Sequence, residues 1–520
     1  MRGPVVVVFL DGWGVQGGAP AALPGAASLE ALVRENPWTT VAATGASVTE
    51  AGSHPSSEHA GYRAAGTGAK AKLARPRVDR ALAAEELGRA QPIVDLVTVG
   101  IMRRGRATDF ITEIARDQCT AHLFGLISDA SSHGHVADLE AVAEIFSFHD
   151  LPFLVHAIVD GVDVPQKTAW HHIERLEARL HQLGGRVATI SGRDYAFDTT
   201  GDWDKTLELY RTVVFAEGDR FEDVNQALTS TYVAGYGDSD LKPVIIGDYS
   251  GIQGGLVGDY GPAGASWTWR GEDTGVFVGL RGESYRQLAA VLTRTGLPAE
   301  IAERVAIRER AVHAFDQRCL ASFVGISTVP DIAVIFPEDA PPFSLGAWFA
   351  GRGHHQLRIA STGREDHVVA HFDAGAPPHD RSSTAHHASD AEALARATSA
   401  VRDASAALVV VALGGLDRAS RSDEEGALAS AATAIDGGIG PLAEAVRARG
   451  GLLVVTSSHG PTVHAPGGEQ VPLVVAGAGA IALRTGGTLA DLAPTVLGWM
   501  GADIPPEITG RTLFEPKPEP

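Results

Sequence analysis

The sequence predicts an α/β protein of two domains with largely parallel sheets. Apolar, β-branched runs recur along the chain with helical patterns between them, as in strands joined by helical crossovers. At 520 residues the chain is too long for one ordinary core. Two stretches combine proline with charge in the manner of linkers: "KLARPRVDRAL" (residues 72–82) and "FPEDAPPFS" (residues 336–344). If both are linkers, the middle of the chain is one domain and the two outer segments fold together as another.

The first element is "VVVVFL" (residues 5–10), too uniformly apolar for a strand with one face in water. The same reading applies to "AHLFGLIS" (121–128), "PFLVHAIVD" (152–160), "RVATIS" (186–191), "TGVFVGL" (274–280), "ALVVVAL" (407–413) and "LLVVTS" (452–457). Helical patterns at 170–183 and 390–404 lie between strands. The chain shows no internal repeat and no long low-complexity tract.

Composition limits the function. Hydrophobic residues make up 44% and charged residues 20%, as in a soluble globular protein. No apolar run approaches a membrane span, and the N-terminus lacks the pattern of a signal peptide. Forty-three basic against 63 acidic residues give a net charge of −20, which opposes general nucleic-acid binding. Cys119 and Cys319 are the only cysteines, so neither a disulfide framework nor a cysteine zinc site is expected. A cytoplasmic protein fits best.

Several strand ends carry chemistry. Asp11 follows the first strand and precedes a glycine turn, where a carboxylate can face a ligand; a carboxylate capping its own loop is the plainer reading. "AGSHPSSEHAGYRAAGTGA" (51–69) sets serines before a helical run, suited to a phosphoryl group or simply to helix capping. Asp129, His133 and His135 close another strand, Asp163 a third, and Arg193 a fourth. Histidine, carboxylate and arginine converging from separate strand ends suit an anionic substrate, although a structural network would explain any one of them. His459 ends the strand at 452–457, with no carboxylate beside it.

"VVVVFLDGWG", "HLFGLISDASSHGH", "VHAIVDGVDVPQKTA", "ATISGRDYAFD", "HHQLRIAST" and "LADLAPTVLGWMGADIPPEITGRTL" stand in the order found in another group of proteins. Over nearly its whole length the chain resembles the cofactor-independent (2,3-bisphosphoglycerate-independent) phosphoglycerate mutases of the alkaline phosphatase superfamily. The resemblance implies an alkaline phosphatase-like domain from residues 1–80 and 338–520, with a phosphotransferase-like substrate domain at 81–337 inserted between them.

It also implies a site built for two manganese ions and a serine nucleophile. Asp11 matches the first ligand, Ser57 the nucleophile and ligand, and His459 a histidine ligand; His464 matches the last histidine only with altered spacing. Gly415 and Ala419 occupy two ligand positions, and Ser458 replaces an aspartate. Such losses should weaken metal binding heavily, leaving no metal or one weakly bound Mn, Zn or Mg ion. On the substrate side, His133, Asp163, Arg193 and Arg281 match family contacts, and Arg364 stands where a lysine is usual. Val162, Thr199 and Ser284 replace three arginines.

The expectation is therefore a repurposed enzyme performing group transfer in specialised metabolism. Its substrate would be a small phosphorylated, phosphonate or nucleotide-activated acid. Ser57, His459 and His133 are its catalytic candidates, and Asp163, Arg193, Arg281 and Arg364 its substrate-binding ones. The alternative is a pseudoenzyme that binds a ligand or protein partner; a conventional manganese-dependent mutase is less expected. A monomer is expected, with no nucleic-acid or membrane partner.

Overall fold

The structure is a computed structural model. It describes residues 2–515 except 51–57, 106–119, 199–200, 252–272, 309–314, 316, 338–340, 362–363, 365–367, 369–371, 373–381, 388, 421–423, 462–468 and 480. The chain divides into two compact units, Met1–Leu73 with Asp339–Pro520, and Ala74–Glu338. We call them the outer and inserted domains.

The outer domain is built on an eight-stranded sheet. Across it lie Ser382–His387, Gln356–Ser361, Leu408–Leu413, Val5–Leu10, Leu452–Thr456, Gln470–Ala476, Trp38–Ala42 and Gly487–Thr488. The first five run parallel, and Gln470–Ala476 is antiparallel to both of its neighbours. Val5–Leu10 is fully buried. Val5, Val7 and Phe9 pack on one face, with Tyr62, Phe349 and Val496 from helices Glu58–Thr67, Leu345–Ala350 and Leu492–Met500. Val6, Val8 and Leu10 pack on the other, with Leu32, Leu394 and Ile439 from Ala27–Glu35, Asp390–Arg402 and Ala427–Ala448. Covering both faces explains the unbroken apolar run, and each such side chain contributes about 1.5–3 kcal/mol by leaving water.

The inserted domain has its own eight-stranded sheet, in the order Ala333–Val334, Leu320–Ser322, Thr274–Val278, Ala121–Ile127, Phe153–Val159, Arg186–Gly192, Val244–Ile246 and Arg220–Phe221. Among the described residues, only the pairing of Arg186–Gly192 with Val244–Ile246 is antiparallel. Helices Val136–Phe148 and Ala169–Gln182 cover one face, and Trp203–Phe215 and Arg286–Thr293 the other.

A hydrogen-bonded chain crosses this core. Asp273 Oδ2 meets His122 Nε2 at 3.1 Å, His122 Nδ1 meets His156 Nε2 at 2.9 Å, and His156 Nδ1 meets Thr189 Oγ1 at 2.9 Å. Burial and then His122 push His156 well below its usual value, so its ring is neutral. These histidines, hidden in apolar strand runs, are core residues paired with one another.

The first expected linker is instead largely helical. Residues Arg75–Ala83 form a helix of the inserted domain, so the division falls at 73/74, earlier than the expected 80/81. Pro76 lies in the first turn, where its missing N–H interrupts no helical bond. Val78 is buried in the inserted core, and Arg75 grips buried Asp138 with Nη1 at 2.7 Å and Nη2 at 3.0 Å.

Candidate functional site

Parallel strands deliver their carboxyl ends to one edge of each sheet, and the chemically promising side chains gather there as two clusters, one per domain.

In the outer domain, Val5–Leu10 ends at Asp11, whose N–H donates to Leu413 O at 3.1 Å. Gly12 turns the chain at φ 90°; a Cβ there would stand 2.9 Å from Asp417 N. Only glycine tolerates both conditions. Asp11 is fully buried, and donors surround its carboxylate. Tyr62 Oη donates to Oδ2 at 2.8 Å; Ser458 donates to Oδ1 through Oγ at 2.6 Å and N at 3.2 Å. Arg364 Nε lies 3.5 Å from Oδ2, and the other arm of the guanidinium, Nη2, donates to Asp417 Oδ2.

His459 is fully buried at the end of Leu452–Thr456. Its Nδ1 meets Gly460 O at 2.7 Å; a carbonyl only accepts, so this nitrogen carries the proton. In the neutral ring the lone pair is on Nε2, 4.0 Å from Asp417 Oδ1. Glu469 Oε2 accepts from Gly460 N at 2.9 Å and holds the turn.

In the inserted domain, Arg193 Nη1 donates to both Asp160 Oδ1 and Asp163 Oδ2 at 2.8 Å. Asp163 also accepts from Ser131 Oγ, which in turn accepts from His133 N at 3.1 Å. His133 Nδ1 meets Ser284 Oγ at 2.6 Å, and Arg281 Nη2 donates to Ser132 Oγ at 2.5 Å. Burial pushes the Asp163 carboxyl up, but Arg193, Ser131 and Arg281 outweigh it and hold Asp163 below its ordinary value. This cluster pairs guanidinium, imidazole and hydroxyl groups around a buried carboxylate.

The clusters thus bring together Asp11, His459 and Arg364 in one domain, and His133, Asp163, Arg193 and Arg281 in the other. Ser57 and His464 lie outside the described residues, as does Thr199. Two residues grouped with His133 have other places. His135 caps helix Val136–Phe148 by accepting from Ala137 N at 3.1 Å, and Asp129 is exposed, 3.6 Å from His172. Sequence reasoning missed Tyr62, Ser131, Ser132 and Asp160. The serines directly precede His133, and Asp160 directly follows a buried strand, so both signals were present.

Divalent ions need oxygen or nitrogen lone pairs left available, and the described residues of the outer cluster do not fit that need. Both oxygens of Asp11 face donors, Ser458 is one of them, and a guanidinium stands beside the carboxylate. Among the described residues, no three His, Cys, Asp or Glu side chains are grouped to hold a metal ion. Nor, among them, is any helix long and apolar enough to cross a membrane.

The family model for the N-terminus of BPG-independent phosphoglycerate mutase matches residues 100–295. A 2,3-bisphosphoglycerate-independent phosphoglycerate mutase of Dinoroseobacter shibae is 28% identical, over 98% of this chain and 99% of its own. One from Paracoccus denitrificans is 27% identical over 98% of each chain. The fold is that of Leishmania mexicana phosphoglycerate mutase, solved at low cobalt concentration, with a TM-score of 0.78 at 18% identity, covering 99% of this chain and 98% of that one. Alignment from end to end, a family model over residues 100–295 and a shared two-domain α/β fold lead to one conclusion: over nearly its whole length the chain is similar to the 2,3-bisphosphoglycerate-independent phosphoglycerate mutases.

Proposed function

We propose that this phosphoglycerate mutase-like protein is an enzyme repurposed for group transfer on a small anionic metabolite other than phosphoglycerate. Phosphorylated, phosphonate and nucleotide-activated acids are the substrate classes that suit it. The observation that carries this reading is the inserted-domain cluster, where half-buried Arg193 and buried Arg281 stand among hydroxyls and carboxylates. A guanidinium fork suits phosphate or carboxylate oxygens, and burial strengthens the contact. Substrate selection would differ from the mutases because Val162 and Ser284 offer no charge where the family resemblance leads one to expect arginine. Ser284 bonds to His133 instead.

In this reading Arg193 and Arg281 bind an anionic group in the inserted domain. In the outer domain Ser57 supplies the nucleophilic oxygen: its bond to the transferred group forms as the bond to the substrate's leaving oxygen breaks. The proton His459 Nε2 takes from Ser57 passes to that leaving oxygen while Gly460 O keeps Nδ1 protonated. His133, tied to Ser284, positions a substrate hydroxyl. No step is assigned to a metal ion, because the described residues of the outer cluster do not fit one.

The test is a turnover screen by phosphorus NMR over those three substrate classes, with 3-phosphoglycerate and added Mn²⁺ as the comparison. One class should turn over, 3-phosphoglycerate should not, and Ser57→Ala and His459→Ala should each abolish the new activity. Ordinary mutase turnover would overturn the proposal. So would binding of an acid from these classes without any chemistry, which would mark a ligand-binding pseudoenzyme.

A further inference from the structure

We propose that Arg364 is the resident cation of the outer-domain cluster, taking over the charge-balancing role of a divalent ion and excluding one. Its guanidinium reaches two carboxylates, Asp11 at the end of Val5–Leu10 through Nε at 3.5 Å and Asp417 in helix Gly415–Ser420 through Nη2. All three side chains are almost completely buried. Without a cation between them, two buried carboxylates would repel and lose their hydration together. A guanidinium keeps its proton throughout the working pH range, so this positive charge is permanent.

The backbone is shaped around it. A Cβ on Gly414 would stand 2.8 Å from Arg364 Nε and equally close to Arg418 Nη1. A Cβ on Gly415 would stand 2.2 Å from Asp390 Oδ2, which accepts the Gly415 N–H at 2.9 Å. The paired glycines therefore clear the space that Arg364 and Asp390 occupy. The next turn, helix Gly415–Ser420, then brings Asp417 onto the guanidinium.

The rest of the Asp11 shell agrees. Tyr62 and Ser458 turn hydroxyl hydrogens towards its oxygens, and the Ser458 N–H adds a third donor. A divalent ion on Asp11 would have to displace these hydrogens and sit beside a fixed like charge. Among the described residues, Arg364 is the cation that reaches both carboxylates, so part of their charge is balanced by the chain itself.

This inference rests on the reading that the Asp11–His459 cluster belongs to the reaction site, but its test reads metal binding alone. The full-length protein is titrated with Mn²⁺, followed by calorimetry, by EPR of free Mn²⁺ and by melting temperature. Wild type should show no saturable binding and no thermal shift. Arg364→Met should bind one Mn²⁺ at least ~10-fold more tightly than wild type and melt higher in its presence. Adding Asp11→Asn to Arg364→Met should remove both effects. Arg364→Lys, which keeps a cation but loses the two-armed reach to Asp11 and Asp417, should bind Mn²⁺ more tightly than wild type and less tightly than Arg364→Met. Saturable Mn²⁺ binding by wild type that Asp11→Asn abolishes would overturn the proposal. So would a folded Arg364→Met protein that binds Mn²⁺ no better than wild type. If Arg364→Met fails to fold, the wild-type and Arg364→Lys titrations still decide. Failure here leaves the substrate screen untouched, and failure of the screen leaves these titrations untouched.

Discussion

Replacing Arg193 with methionine removes the cation shared by Asp160 and Asp163. The side chains are 11%, 0% and 13% exposed, so water cannot readily take over the lost contacts. Breaking a buried pair from one side costs about 3–5 kcal/mol, because the remaining charge stays buried without its partner. For a unit of this size that corresponds to a fall of roughly 6–10 °C in melting temperature. Arg193→Lys keeps the charge but not the position at which Nη1 meets both carboxylates, so its loss should be about half as large. Differential scanning calorimetry across pH adds a sharper check. Asp163 is held below its ordinary value of 3.8, so its stabilising share is present above that pH and lost as pH falls through the folded value. The Arg193→Met deficit should therefore narrow in acid, where protonated carboxyls no longer repel each other. A variant that stays within about 1 kcal/mol of wild type at neutral pH would refute the reasoning, since that is the scale of an exposed pair. A deficit independent of pH would refute it equally.

Glu177 lies in helix Ala169–Gln182, and burial, then Asp223 and Glu174, raise its pKa from 4.5 to about 7. Its neutral form is favoured in the folded state, so its contribution is complete below 4.5 and lost as pH rises through 7. Glu177→Gln should raise the melting temperature above that pH and leave it little changed in acid, as thermal denaturation followed by circular dichroism would reveal. Arg75→Met should leave the almost fully buried Asp138 carboxylate without its bidentate partner, at a cost of about 3–5 kcal/mol. In limited proteolysis, cleavage should shift into residues 75–83 of that variant, whereas in wild type the helix should resist it.

Much of the architecture was legible because parallel strands buried on both faces need no alternation. "VVVVFL", "AHLFGLIS" and "LLVVTS" announce themselves as unbroken apolar runs. The carboxyl ends of those runs then locate Asp11, His133, Asp163, Arg193 and His459. Strands such as Arg220–Phe221 and Val244–Ile246 are too short to carry a period. Pro76 suggested a linker because sequence alone does not say whether a proline opens a helix or interrupts one. Arg364 was legible as a cation but not as the partner of Asp11 and Asp417, because that depends on which strand ends the sheet order makes neighbours. Tyr62 was hidden for a related reason: its hydroxyl reaches Asp11 only after helix Glu58–Thr67 docks on the sheet.

The strand order also governs synthesis on the ribosome. Val5–Leu10 is among the first segments made, yet its sheet partners are Leu408–Leu413 and Leu452–Thr456, near the other end of the chain. At about 5–20 residues per second, roughly 20–80 s separate the first strand from the first of those partners. The inserted domain lies wholly within that interval and can complete its own sheet while the outer domain still lacks its central pairings. Meanwhile six consecutive apolar residues with high strand propensity and no charge remain unpaired, the composition that invites self-association. Early chaperone engagement at the N-terminus, and aggregation of chains truncated before residue 408, are the consequences to expect of a domain whose middle strand is made first and satisfied last.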